Sequence, residues 1–273
     1  MKGGPMNIRE IQCKSLLTSS NLPKVDYCIN PYIGCLHGCV YCYARFMKRF
    51  TKHSEPWGRF LDVKVNAPDV LERELRRNPR KGTVLLGSVT DAYQPIERKY
   101  RLTRKILGLL LRSDFPISVL TKSALVTRDI DLFRQFRECE VGLTITTFDQ
   151  DVAHDFEPCS SRPDERLAAL QKLHSAGIRT YVFVGPIFPE LTEIDRIVSR
   201  VADSVDYIMA ESLNLKAGNR AKMLKIISRK HPKLFDVYQK GFGKQYWNDV
   251  EQQFRESCKR HGVAIGGFFI HGT

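Results

Sequence analysis

The segment Gly34-Cys35-Leu36-His37-Gly38-Cys39-Val40-Tyr41-Cys42 places three cysteines on one short stretch with the spacing Cys-x3-Cys-x2-Cys. A closed structural zinc site normally uses four protein ligands. A cubane iron-sulfur cluster held by only three cysteines instead keeps one iron free for an exchangeable ligand. The spacing therefore indicates chemistry at a metal centre and not only structural metal binding.

The alternative is a zinc knuckle in which His37 or a remote cysteine supplies the fourth ligand. His37 stands between two of the cysteines, and in such a tight loop we expect its ring to point away from the metal. The second Cys-x2-Cys pair that completes a zinc ribbon is missing from the sequence. The sequence therefore favours an iron-sulfur cluster at Cys35, Cys39 and Cys42.

The residues around the cysteines extend the pattern, with Asn30-Pro31-Tyr32-Ile33 before the loop and Tyr43-Ala44-Arg45 after it. Together these residues resemble the radical S-adenosylmethionine (SAM) superfamily, and within it the spore photoproduct lyase-like branch, often labelled DNA repair photolyase. Further matching stretches follow in that family's order: Ser88-Val89-Thr90-Asp91-Ala92-Tyr93-Gln94-Pro95-Ile96-Glu97, Leu102-Thr103-Arg104, Thr121-Lys122-Ser123, Arg128-Asp129, Glu157-Pro158 and Arg166-Leu167. The resemblance spans about residues 14 to 215.

The resemblance implies a 4Fe-4S cluster on the three cysteines, whose unique iron binds the amine and carboxylate of SAM. The reduced cluster would cleave SAM to a 5'-deoxyadenosyl radical that abstracts hydrogen from an organic substrate, in a reaction of lyase or transferase type. Damaged or modified nucleic acid is the implied substrate, and a flavodoxin or ferredoxin the implied electron donor. The alternatives are a small metabolite, a peptide or RNA as substrate, or a zinc-stabilised nucleic-acid-binding module without enzyme activity.

Short apolar β-rich runs alternate with segments of helical period, which is the pattern of βα units around a parallel sheet. The predicted strands are 25–31, 83–87, 117–121, 141–146, 180–184 and 207–210, and the predicted helices are 40–50, 69–77, 102–112, 128–137, 162–176 and 190–202. The resemblance implies that these elements form an α/β fold, a partial (β/α)6 TIM-like barrel.

The barrel core is expected to span residues 1–215, with residues 216–273 as a C-terminal extension of the same domain. That extension is predicted to contain two helices and a final strand, over 217–230, 245–260 and 263–270. The sequence does not indicate where the final strand pairs.

Active groups of α/β barrels lie at the C-terminal ends of the strands. Polar residues follow the second, third and fourth predicted strands, and by resemblance they bind SAM: Ser88, Thr90, Asp91, Lys122, Ser123, Thr144 and Thr146. For any single Ser or Thr, a strand or helix-cap role is the alternative. Glu157 and Arg166 come after the fourth strand, where a salt bridge and a SAM contact are both consistent with the sequence.

Tyr41 and Tyr43 flank the last cluster cysteine. By resemblance, Tyr41 shields the cluster beside the cofactor, and Tyr43 is a catalytic candidate, because tyrosines flank the matching cysteine of spore photoproduct lyase and one is held to relay a hydrogen atom. Ser88 stands where that lyase has its hydrogen-donating cysteine. An O–H bond is too strong to quench a carbon radical readily, so Cys159, placed at the barrel mouth, is the predicted catalytic replacement.

The chain has 43 Lys and Arg against 30 Asp and Glu, a formal net charge of +13, which favours a polyanionic partner or simply serves solubility. Its aromatic residues are scattered, which favours packing over a base-stacking surface. Met1-Lys2-Gly3-Gly4-Pro5 lacks the apolar core of a signal peptide, and no run of 18 apolar residues occurs. We therefore expect a cytoplasmic monomer without membrane contact.

Overall fold

The computed structural model describes residues 6–216 and 218–271. Their strands are β1 Asn7–Ile11, β2 Thr18–Ser19, β3 Tyr27–Ile29, β4 Tyr32–Ile33, β5 Phe60–Lys64, β6 Val84–Leu86, β7 Ile117–Thr121, β8 Cys139–Thr144, β9 Arg179–Ile187, β10 Tyr207–Ser212 and β11 Ile265–Phe269. The α-helices are α1 Ala67–Leu75, α2 Glu97–Tyr100, α3 Leu102–Arg112, α4 Ile130–Phe133, α5 Gln150–Phe156, α6 Pro163–Ser175, α7 Ile194–Val201, α8 Arg220–Lys230, α9 Phe235–Lys240 and α10 Lys244–Arg260. Short 3-10 helices cover Tyr43–Phe50, Ala124–Asp129, Ala202–Ser204 and Pro232–Leu234.

The main sheet has eight strands in the order β2-β3-β6-β7-β8-β9-β10-β11. All neighbouring pairs from β3 to β11 are parallel, and only β2 runs antiparallel. The six predicted strands are the six central parallel strands β3 to β10, so the partial barrel is confirmed. Because the strands are parallel, their C-terminal ends meet at one edge, where a barrel's active groups lie.

The final strand β11 pairs in parallel with β10 and extends the sheet on that side. The helices before it pack into the same hydrophobic core as the barrel strands, through buried side chains such as Trp247 and Phe254. The division at residue 215 stays a prediction, and Ala217, where a helix was predicted to begin, lies outside the described residues.

A second sheet of three strands, in the order β1-β5-β4, was not predicted. Its central strand β5 is almost fully buried, because Phe60, Leu61 and Val63 are apolar and Asp62 is buried between them. The backbone oxygen of Phe60 would lie 2.7 Å from a Cβ added to Gly34. This small sheet therefore forms a wall directly behind the cysteine loop.

Two predicted helices are corrected. The helix predicted over 40–50 begins only at Tyr43 and is a 3-10 helix, because turns closed by the amides of Gly38 and Cys42 occupy the residues before it. The helix predicted over 128–137 is a 3-10 turn followed by the short α4. Within the described chain, no helix is both long enough and apolar enough to cross a bilayer.

Candidate active site

Glycines shape the cysteine loop at positions where a residue with a side chain would not fit. Gly34 and Gly38 have φ of +94° and +65°, in the left-handed region that strains other residues. A Cβ on Gly58 would lie 2.6 Å from the Cα of Gly38, so the loop and the segment before β5 touch backbone to backbone. The three thiols are thereby presented from a tightly fixed turn.

Cys35 and Cys39 are buried and Cys42 is partly buried. Burial raises the pKa of all three thiols, to about 12 for Cys39, and the neighbouring cysteines raise that of Cys35 further. The thiols therefore lie within electrostatic range of one another. Trp57 packs against this group.

No three His, Cys, Asp or Glu side chains among the described residues are close enough together to hold a single metal ion. In a cubane cluster each cysteine binds a different iron atom, so the thiolates stand farther apart than around one ion. His37, the fourth ligand of the zinc alternative, directs its Nδ1 to Oδ2 of Asp91 at 3.3 Å.

Thr90 fixes the start of the cysteine loop. Its hydroxyl donates to the backbone oxygen of Gly34 at 2.5 Å and accepts from Nε2 of Gln94 at 3.0 Å. Gln94 in turn accepts from the amide of Leu36 at 2.8 Å through Oε1. Gln94 was not predicted as a site residue, although it lies in the quoted motif, and it is fully buried.

Asp91 is a buried hub between the loop and the strand ends. Oδ1 accepts from the Tyr93 amide at 2.8 Å and from the Thr121 hydroxyl at 2.7 Å, while Oδ2 accepts from the Lys122 amide at 2.9 Å and faces His37. Burial alone would raise the pKa of Asp91, but His37 and these donors hold it well below its usual range. Both carboxylate oxygens of Asp91 therefore already have partners within the protein.

Ser88 and Tyr43 meet beside the loop. The Tyr43 hydroxyl donates to the backbone oxygen of Ser88, whose own hydroxyl accepts from Nδ2 of Asn30 at 3.0 Å. The Tyr43 side chain is otherwise exposed, at 54%. The structure thus brings the predicted relay tyrosine to the position aligned with the lyase cysteine.

The hydroxyl of Ser123 caps a helix, whereas the ammonium of Lys122 lies over the ring of Tyr41. The Ser123 hydroxyl accepts from the Leu125 amide at 3.3 Å and so caps the 3-10 helix Ala124–Asp129. The ammonium of Lys122 lies 5.6 Å from the ring centroid of Tyr41, and its pKa is raised because the negative partners Cys39 and Glu157 outweigh burial.

Glu157 and Arg166 form a salt bridge, one of the two roles that the sequence left open, with 2.5 Å between Oε2 and a guanidinium nitrogen, and both are nearly fully buried. Their predicted contact with SAM stays a prediction. Arg166 also donates to the backbone oxygens of Ser161 and Thr144 at 2.8 and 2.9 Å. The Tyr41 hydroxyl donates to the other oxygen of Glu157. Although burial raises the pKa of a carboxyl, the charges of Arg166 and Lys122 hold that of Glu157 below its usual value.

Thr144 and Thr146 stand apart from the other predicted residues. Both are buried, each 1% exposed, and neither hydroxyl oxygen has a hydrogen-bond partner within the described structure. A buried hydroxyl without a partner costs free energy, so such groups are expected to meet a ligand. The structure therefore offers two free hydroxyls at the end of β8.

Cys159 is exposed, and its amide donates to the backbone oxygen of His37 at 3.3 Å. It therefore lies against the cysteine loop, as its predicted position at the mouth requires. Asn219, from the C-terminal extension, also reaches this loop, because its Nδ2 donates to the backbone oxygen of Tyr41 at 2.7 Å. No sequence signal marked Asn219, since a lone asparagine before a helix normally reads as a cap.

A sequence profile of the Radical SAM superfamily matches residues 29–200, which include the cysteine loop and the central strands β6, β7, β8 and β9, and the match ends within α7. The chain is 36% identical over 268 residues to an uncharacterised protein of Methanocaldococcus jannaschii, covering 97% of this chain and 98% of that protein. The chain belongs to the radical SAM superfamily.

Two further similarities carry functional names. Spore photoproduct lyase complexed with dinucleoside spore photoproduct matches with a TM-score of 0.70 and 19% identity over 96% of this chain and 81% of the lyase chain, which establishes the shared fold. A radical SAM Nalpha-GlyT isomerase of Pseudomonas phage M6 is 23% identical over 168 residues, covering 61% of this chain and 34% of the phage protein. A lyase and an isomerase thus stand among the similar proteins.

The family's cofactors are a 4Fe-4S cluster and SAM, and the residues present fit both. Three neighbouring thiols on a fixed turn suit the cluster, and the two free hydroxyls of Thr144 and Thr146 suit a polar ligand beside it. The protein is therefore a radical SAM enzyme, and the zinc-stabilised binding module is excluded as its class.

Proposed function

We propose that this radical SAM enzyme acts on damaged or modified nucleic acid in a reaction of lyase type. The observation that carries the proposal is the fold, which it shares over 96% of its length with a lyase in complex with a dinucleoside photoproduct. The net charge of +13 supports the same substrate class, because a basic protein attracts a polyanion. The alternatives are a small metabolite, a peptide or RNA.

In this proposal the cluster and SAM supply, on one-electron reduction, a 5'-deoxyadenosyl radical that takes a hydrogen atom from the substrate. Cys35, Cys39 and Cys42 hold the cluster. Thr144, Thr146 and Lys122 present polar groups to SAM, whereas Ser88, Thr90, Asp91 and Ser123 order the loop and strand ends that surround it. Tyr41, Glu157 and Arg166 close the buried side of the site.

Hydrogen return to the product radical is proposed for Cys159. Its thiol would give a hydrogen atom to the product carbon and become a thiyl radical, which would take a hydrogen atom from the hydroxyl of Tyr43, bonded to Ser88. One electron from the reductant and one proton would then return the tyrosyl radical to tyrosine. We further propose that the enzyme works as a monomer in a reducing cytoplasm, and that a flavodoxin or ferredoxin delivers the electron. None of these assignments is needed for SAM cleavage itself.

The test is anaerobic reconstitution with iron and sulfide, followed by reduction with SAM and quantification of 5'-deoxyadenosine. Ultraviolet-irradiated DNA, unirradiated DNA, RNA and a peptide mixture are compared as additions. Stimulation by irradiated DNA together with a repaired product supports the proposal. Cleavage of SAM that responds only to RNA or peptide would contradict it and leave the family assignment intact.

Cys159→Ala tests the hydrogen donor within the same assay. We expect SAM cleavage to continue while product formation falls at least tenfold, because the product radical is no longer quenched by a thiol. Cys139→Ala is the matched control, since Cys139 lies at the start of β8 and away from the mouth. Unchanged product formation in Cys159→Ala would remove this cysteine from the reaction.

A further inference from the structure

The 3-10 helix Tyr43–Phe50 begins one residue after the last cluster cysteine and is unusually rich in exposed aromatic surface. Among the described residues, eight large hydrophobic side chains are exposed, and three of them lie on this one helix: Tyr43 at 54%, Phe46 at 40% and Phe50 at 65%. Many aromatic residues of the chain pack in the core, as the sequence indicated, whereas these three are exposed. Exposed apolar surface concentrated in this way marks an interaction site.

The helix type explains the arrangement. A 3-10 helix has three residues per turn, so side chains three positions apart lie one above another. Tyr43, Phe46 and Arg49 form such a row, and all three are exposed. The guanidinium carbon of Arg49 lies 5.3 Å from the ring centroid of Phe46 and 4.8 Å from that of Phe50. We call Tyr43, Phe46, Arg49 and Phe50 the aromatic row.

Positive charge surrounds the aromatic row. The stretch from residue 40 to residue 54 contains Arg45, Lys48, Arg49 and Lys52 and no acidic residue. Lys222 on α8 adds a further cation, and its pKa is lowered by burial and then by the charges of Arg45 and Lys48. Like charges held this close repel one another, and a bound polyanion would relieve that repulsion.

The acidic side chains in the neighbourhood are engaged elsewhere. Glu55 accepts from Asn7 and lies 3.3 Å from Nδ1 of His53. Glu211, on the Tyr43 side, lies 3.0 Å from Nε2 of His271. Among the described residues, Lys48 and Arg49 form no ion pair, and Arg49 lies over the rings of Phe46 and Phe50. The face of the aromatic row therefore combines stacking surfaces with cations that have no carboxylate partner there, which is the composition of sequence-tolerant single-strand binding sites.

We propose that the aromatic row with Lys48 is a binding surface for unpaired nucleic acid and that it holds the strand beside the reactive centre. Bases stack on Phe46 and Phe50, and the neighbouring cations neutralise the phosphates. The surface follows the cluster loop directly, so a nucleotide held out of its stack here is next to the site of chemistry. This inference rests on the proposed nucleic-acid substrate.

The test is the binding of a short fluorescein-labelled oligothymidylate to the anaerobically reconstituted protein, followed by fluorescence anisotropy. Phe46→Ala combined with Phe50→Ala is expected to weaken binding at least tenfold, since a lost base–aromatic stack has about that effect. Leu22→Ala, at an apolar residue that is 47% exposed on another surface, is expected to leave binding unchanged. Phe46→Ala combined with Phe50→Trp, in which tryptophan stands in place of the alanine at position 50, is expected to restore binding.

The charges are tested by salt dependence. Arg49→Gln is expected to reduce the slope of log K against log salt by about 0.7, the contribution of one phosphate contact to a single strand. Arg137→Gln is the control, because Arg137 is exposed and pairs with its neighbour Glu138. An unchanged slope in Arg49→Gln, or equal binding by the double phenylalanine variant and the wild type, would overturn the proposal.

Three further outcomes separate the surface from the reaction. Intact oligonucleotide binding with slowed reduction by flavodoxin in the double variant would assign the face to the electron donor and overturn our inference. Weakened binding in that variant supports the surface even when no DNA lesion is turned over, since binding is read without turnover. DNA turnover that is independent of the aromatic row would instead keep the proposed function and reject the surface.

Discussion

Two sides of the same strand edge use their polar side chains in opposite ways. At the ends of β6 and β7, the side chains of Thr90 and Asp91 are bonded to protein groups. At the end of β8, the hydroxyls of Thr144 and Thr146 are buried and have no hydrogen-bond partner among residues 6–216 and 218–271. The sequence predicted one role, SAM binding, for all four.

The difference separates groups that build the site from groups that are left for a ligand. A side chain whose oxygens already accept from several backbone and side-chain donors stabilises the local structure and has little capacity left. A buried hydroxyl without a partner is a cost that a bound polar molecule removes. We therefore expect variants on the β6–β7 side to lose structure and variants on the β8 side to lose cofactor affinity.

The largest effect is expected in the loop that the β6–β7 side supports. Cys35→Ala, Cys39→Ala and Cys42→Ala should each abolish the visible absorption of the cluster and the formation of 5'-deoxyadenosine, because a cluster with two protein ligands is not retained. Cys258→Ala, on the buried face of α10, should retain both. A full complement of iron and sulfide in any of the three loop variants would contradict the ligand assignment.

Asp91→Ala is the next largest change. It removes the acceptor of the Tyr93 and Lys122 amides and the Thr121 hydroxyl, and we expect a loss of about 3 kcal/mol in the free energy of unfolding. Reduced iron incorporation should accompany it, because His37 in the loop loses its partner. Urea unfolding of the apoprotein and iron analysis measure both effects.

Asp131→Ala is the matched control for that change. Asp131 pairs with Arg104 at 2.6 Å, but its side chain is 57% exposed, so we expect a loss below about 1 kcal/mol and normal iron content. Equal losses for the two aspartates would show that the Asp91 hub contributes no more than a surface ion pair.

The sequence named candidate cluster ligands but few of the groups that support them. The cysteine spacing predicts the cluster loop because metal chemistry requires particular residue types at a particular spacing, and that assignment stays a prediction. Strand β7 and helix α3 were predicted with their observed bounds, since buried strands and amphipathic helices carry a strong periodic signal. The small sheet was missed because β1 is partly exposed and β4 has only two residues.

The sequence could not predict which polar side chains form hydrogen bonds within the protein. This difference distinguishes the β6–β7 side of the strand edge from the β8 side. Thr90 and Thr144 are both threonines at strand ends. Only the folded chain shows that the hydroxyl of Thr90 meets Gly34 and Gln94, whereas the hydroxyl of Thr144 meets no partner in the described part of the chain. Gln94 and Asn219 escaped notice for the same reason, because an amide's role depends on which distant backbone groups it meets. The exposure of Phe46 and Phe50 likewise depends on the 3-10 geometry, which residue type does not determine.

The smallest effects test the comparison most directly. Thr144→Val and Thr146→Val replace a buried, unpartnered hydroxyl by a methyl group of the same shape. We expect each to weaken SAM binding by roughly three- to tenfold, the equivalent of one neutral hydrogen bond, and to leave the apoprotein as stable as the wild type or up to about 1 kcal/mol more stable. Anaerobic calorimetry of SAM binding and urea unfolding give the two values.

Thr103→Val provides the opposite case in the same kind of buried setting. The Thr103 hydroxyl donates to the backbone oxygen of Ala92 at 2.6 Å, so its loss leaves a buried acceptor unpaired and should destabilise the protein by about 1 kcal/mol. SAM affinity should not change, because that hydroxyl is already used within the protein. If Thr144→Val destabilised the apoprotein as Thr103→Val does, its hydroxyl would have a structural partner, and the distinction between the two sides of the strand edge would fail.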